Sequence, residues 1–86
     1  MIDKRTVYDE LKRNPKNVRF NRLCSAAELF GFRFRGGKGS HVIYRRDGIK
    51  EMLNFQNVGG WAKPYQVRQL LKIIDKYNLL KEENHV

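Results

Sequence analysis

Apolar residues recur at two spacings along the chain, and the switches between them divide it into parts. From Asp3 to Asn14, Val7, Tyr8 and Leu11 form a narrow stripe at helical spacing. Asp3 or Thr6 can cap this first helix. Asn14-Pro15 ends it, because the residue before a proline is pushed out of the helical region. A second helix is predicted from Asn21 to Phe30. Asn21 supplies the cap, Leu23, Ala26, Ala27 and Phe30 share a face, and Gly31 is the stop. After Gly31 the period drops to two. Phe32-Arg33-Phe34-Arg35 alternates apolar and basic residues, Gly36-Gly37-Lys38-Gly39-Ser40 reads as a turn, and His41-Val42-Ile43-Tyr44-Arg45 is the returning strand. Asp47-Gly48 marks another turn, and Met52 to Gln56 is a third strand. Beyond a loop containing Gly59-Gly60-Trp61, helical spacing returns from Pro64 to about Tyr77, with Val67, Leu70, Leu71 and Ile74 on one face.

The pattern predicts an α+β domain in the order α-α-β-β-β-α. Its core spans about residues 4–79 of one 86-residue unit, and 80–86 read as a frayed tail. Helices cover one face of a three-stranded antiparallel sheet and leave the other open. Strand parity sends Phe32, Phe34, Val42, Tyr44, Leu53 and Phe55 inward. It places Arg33, Arg35, His41, Arg45 and Asn54, together with Ile43, on the open face.

Composition sharpens this picture. Lysine and arginine number 18 against 9 acidic residues, a formal charge of +9, which favours polyanions through counterion release. A solubilising basic surface is the bland alternative. No segment joins a strong apolar face to a basic one, so a membrane surface is disfavoured. The apolar runs are short, and the N-terminus lacks a secretory stretch, so the chain reads as cytoplasmic. Cys24 cannot pair within the chain and reads as a small helix residue. The histidines, His41 and His85, lie far apart, so no zinc spacing occurs, and no metal or other cofactor is expected.

Gly36-Gly37-Lys38-Gly39-Ser40 is not a P-loop, because it lacks the Gly-Lys-Ser/Thr ending and precedes a strand rather than a helix. Gly39-Ser40-His41 opening a strand is followed by Leu53-Asn54-Phe55-Gln56 and then by Gly59-Gly60-Trp61-Ala62-Lys63-Pro64-Tyr65-Gln66-Val67-Arg68-Gln69-Leu70-Leu71. In that order these segments resemble the HicA family of bacterial toxins. Asn14 to Phe20 resembles the leader of one branch of it. The likeness extends from about Val7 to Leu79. It implies a fold like the double-stranded-RNA-binding domain, a ribosome-independent endoribonuclease acting on messenger RNA, and His41 as the catalytic residue. It also implies inhibition by a HicB-type antitoxin, with the toxin a monomer when free and a hetero-oligomer when inhibited. The chain departs from the family at Val42, where many members carry a second histidine. Parity buries that position.

RNA carries its own nucleophile, the 2′-hydroxyl, so cleavage needs a base, charge on the phosphorane and a proton for the leaving oxygen. An imidazole titrating near pH 6.5 can serve as the base. Arg33, Arg35, Lys38, Ser40 and Arg45 are the candidate RNA-binding residues, the cations for phosphate and the serine for its hydroxyl. The acid is water or Lys38. An acidic antitoxin is expected to cover His41 and to use Ile43 and Trp61 as apolar anchors. Trp61 could instead stack on a base or pack on the last helix, and Tyr65, Gln66 and Arg68 could bring that helix's positive end to phosphate. Two further function classes compete: a non-catalytic double-stranded-RNA-binding module of the same fold, and an adaptor for an acidic protein.

Overall fold

The computed structural model of the protein describes residues 3–81. Helix α1 (Lys4–Arg13) begins where Asp3 accepts a hydrogen bond from the Thr6 backbone N–H at 2.8 Å, so of the two possible caps Asp3 is the one used. Pro15–Asn17 form a short 3-10 turn, and helix α2 (Phe20–Leu29) follows. The predicted cap Asn21 is inside this helix. The N-cap is Arg19, whose side chain makes no capping bond. The start is set from a distance: the Phe20 N–H donates to the Gly60 carbonyl and the Ala62 N–H to the Val18 carbonyl, so the segment before α2 pairs with the Gly60–Ala62 loop.

Strands β1 (Arg33–Lys38), β2 (His41–Arg45) and β3 (Leu53–Gln56) form one antiparallel sheet in the order β1-β2-β3, and helix α3 (Pro64–Lys76) closes the sequence of main elements. The order is α-α-β-β-β-α, as the periodicity predicts. A further 3-10 turn, Leu79–Lys81, takes in the first two residues of the expected tail, and Leu80 packs against the core. Residues 82–86, including His85, lie outside the described residues. No helix among the described residues is long and apolar enough to cross a membrane.

The buried apolar residues make one cluster. Leu23 and Ala27 from α2, Leu53 and Phe55 from β3, and Val67, Leu70 and Ile74 from α3 are its most enclosed members. Truncating any one of these leucines to alanine costs about 2–5 kcal/mol. Three polar tethers join the elements: Tyr8 Oη donates to Asp75 at 2.7 Å between α1 and α3, Tyr44 Oη donates to Glu28 at 2.9 Å, and the Gln56 N–H donates to Gln66 Oε1 at 2.8 Å.

One inward assignment is corrected. Phe34 shares the face of Tyr44, its cross-strand partner, yet is 58% exposed. β1 is an edge strand, and α3 packs on β3 at the opposite edge, so the helical layer does not cover Phe34, whose ring meets that of Tyr44 in a T-shaped contact with centroids 6.0 Å apart. The expected five-residue turn is also shorter. β1 continues through Gly36-Gly37-Lys38 by way of a bulge between Phe34 and Gly37, and only Gly39-Ser40 remain as the hairpin loop.

Candidate functional site

Two glycines build the ground on which His41 stands. Gly39 has φ of +64°, the left-handed conformation that a two-residue hairpin loop demands. Gly37 lies so close to the neighbouring strand that a Cβ there would fall 2.1 Å from the His41 carbonyl oxygen and 2.8 Å from Val42 Cα. No side chain fits at that position, and the two backbones meet at the peptide between His41 and Val42.

His41 is the first residue of β2, paired with Lys38 on one side and Gln56 on the other. Its side chain is exposed on the face opposite the helices. There His41 Nδ1 lies 3.2 Å from Asn54 Oδ1, within hydrogen-bond distance on the diagonal, since Asn54 pairs directly with Ile43. In the tautomer with the proton on Nδ1 this contact is a hydrogen bond that orients the ring, and Nε2 is then the nitrogen able to accept a proton. Sequence parity puts Asn54 on this face without giving it a role. The diagonal spacing of residues 41 and 54 is the signal that assigns it one.

The strands of the open face carry charge of one sign. The three strands contribute Arg33, Arg35, Lys38 and Arg45 and no acidic residue. Lys38 is the cation beside His41, across the hairpin. Arg45 is not beside it. Arg45 ends β2, four residues further on, which at about 3.3 Å per residue is about 13 Å away. There it pairs with Arg33, while Arg35 stands in the bulge opposite Ile43. Ser40 is exposed in the hairpin loop, and its carbonyl accepts from the Asn57 N–H at 2.9 Å, binding the loop after β3 to the histidine's end of the sheet.

Ile43 is half-buried and follows the predicted parity. Trp61 lies in the loop leaving that same end of the sheet. It is 43% exposed, with the Arg19 guanidinium 4.5 Å from its ring centroid. Arg19 thus occupies one side of the indole. Gln66 is not available at the start of α3: it is 3% exposed and accepts the Gln56 N–H, so it joins α3 to β3. Tyr65 and Arg68 remain exposed there.

Two other reactive side chains are structural. Burial, with the hydrogen bond to Glu28, pushes the Tyr44 hydroxyl far above its ordinary range, so it stays protonated as a tether. Burial likewise raises the Cys24 thiol, which makes it a poor nucleophile. No family model, curated protein or solved structure matches the chain.

Proposed function

We propose that the protein is an endoribonuclease of the HicA toxin kind, with a fold like the double-stranded-RNA-binding domain, and that His41 is its general base. One observation carries this reading. The histidine is exposed, lies within hydrogen-bond distance of Asn54, and stands on a sheet face whose strands hold cations and no carboxylate. A histidine serving only the fold would have no need of that setting.

In the proposed reaction Nε2 takes the proton of an RNA 2′-hydroxyl. The 2′-oxygen attacks the adjacent phosphorus, the P–O5′ bond breaks, and a proton from water or Lys38 reaches the leaving 5′-oxygen. The products are a 2′,3′-cyclic phosphate and a 5′-hydroxyl. Lys38, across the hairpin from His41, holds charge developing on the phosphorane, and Ser40 adds a hydroxyl in the adjoining loop. The nucleophile belongs to the substrate, so no metal is required to generate it.

The same face is where an inhibitor would act. An acidic partner of the HicB type would cover His41 and use half-buried Ile43 and the exposed side of Trp61 as apolar anchors. Incubating the purified protein with a long single-stranded RNA in EDTA tests the reading. Cleavage supports it, retention of RNA without cleavage favours a binding module, and neither result favours a protein adaptor.

A further inference from the structure

At the far end of the sheet from His41, a cavity of about 190 Å³ is lined by Gly31, Arg33, Arg35, Arg45, Arg46 and Asp47. We infer that this arginine cleft is a second, preformed site for a phosphate group of RNA, holding the chain about 13 Å from the reacting phosphate at His41.

The cleft is built by the backbone. Arg33 and Arg45 are direct cross-strand partners, and the bulge in β1 brings Arg35 to the same cavity. Like charges facing each other across a sheet repel. Among the described residues no carboxylate forms an ion pair with Arg33, Arg35 or Arg45, whereas Arg5, Arg22 and Lys76 in the helices each have one. Asp47 lines the cavity without pairing with any of these three. Three arginines against one aspartate leave a surplus of two positive charges, even with Arg46 set aside.

Arg46 forms a wall. Its Nη1 donates to the Phe30 carbonyl at 2.8 Å, and its side chain lies against Gly31, where a Cβ would come within 3.2 Å of Arg46 Cδ and Nε. Arg45 is steadied by Met52, whose sulfur lies 3.7 Å from Nη1. Arginines converging on a small polar hollow match the oxygens of a phosphate, which accepts several charged hydrogen bonds at once and relieves the repulsion.

The inference rests on the proposed function for its ligand, but its first test does not need RNA cleavage. The full chain, with arginine side chains labelled for NMR, is titrated with inorganic phosphate at constant ionic strength made up with chloride. Saturable shifts at Arg33, Arg35 and Arg45, and a phosphate-dependent rise in Tm, are expected. Both should vanish in Arg33→Gln/Arg45→Gln, which should fold at least as stably as the parent because it loses a repulsion.

With RNA, the double variant should lower the salt-dependence slope of binding by about one unit, since the cleft holds one phosphate. It should raise KM about tenfold and leave kcat within about twofold. Comparing 5′-phosphorylated with 5′-hydroxyl RNA of one sequence separates the two sources of the group. Equal affinity marks an internal phosphodiester, and tighter binding of the phosphorylated chain marks a terminal phosphate. A non-saturable titration, or shifts and Tm effects that persist in the double variant, overturns the cleft. A saturable titration with no RNA cleavage keeps it and rejects the nuclease.

Discussion

The histidine's face of the sheet is legible from two-residue alternation alone, because parity holds wherever β2 pairs with β3 without interruption. What parity misses lies on β1. Phe34 has the right parity for burial, but an edge position supplies no helix to cover it, and burial depends on neighbours that a local pattern does not contain. Gly37 is the other case. In sequence it is one of several turn glycines, whereas in the fold it sits inside a strand because two backbones touch there. Gly37→Ala must push the His41 carbonyl away. It should cost about 1–3 kcal/mol, the range for overpacking, and lower RNA cleavage beyond what the lost stability explains. Denaturant melts of the variant and its turnover at a temperature where it is fully folded measure both. Unchanged stability and turnover would mean that the close approach has no consequence.

Elements with their own apolar stripe are read correctly to within a residue or two, α1 and α3 especially. The start of α2 falls one residue before the predicted Asn21, with Arg19 as its N-cap, because it is set by Val18 and Phe20 pairing with Gly60 and Ala62, about forty residues away. The connection between β2 and β3 is held in a similarly non-local way. Glu51 accepts from Lys76 at 2.5 Å and from the Tyr77 hydroxyl at 2.6 Å, clipping the connection to the C-terminal end of α3. The Lys76 hydrogen bond, then that of Tyr77, holds the Glu51 carboxyl at about 2, against 4.5 ordinarily. A carboxyl depressed in the folded state contributes stability above its unfolded pKa and loses it as pH falls through the folded value. Part of the drop in Tm between about pH 4.5 and 2 should therefore be absent in Glu51→Gln, and the contribution should be modest because the pair is exposed to solvent. Thermal melts across that window check it. Parallel curves for the two proteins would contradict the clip.

Across the whole molecule, the ion pairs of α1 and α3 engage acidic residues of the helices and loops, while the strands keep only cations. This segregation leaves the sheet one face whose strand charges are all positive and one face packed on the core. Its positive sign follows from composition, but its division into a lysine beside His41 and an arginine cleft at the opposite end depends on register and on the bulge in β1. Ile43 belongs to the same face. Ile43→Asp should weaken binding of an acidic inhibitor by more than tenfold while costing the isolated domain about 1 kcal/mol, since the side chain is only half-buried. Calorimetry with the partner and melts of the free domain separate the two effects, and global unfolding of the variant would contradict the open-face position. The central claim is that His41 takes the 2′-proton. It is tested most directly by incubating the protein and a folded His41→Ala variant with one single-stranded RNA in EDTA and analysing the product ends. The parent should yield 2′,3′-cyclic phosphate and 5′-hydroxyl ends and the variant no cleavage above the RNA alone. Cleavage by the variant at the parent's rate would show that His41 is not the base.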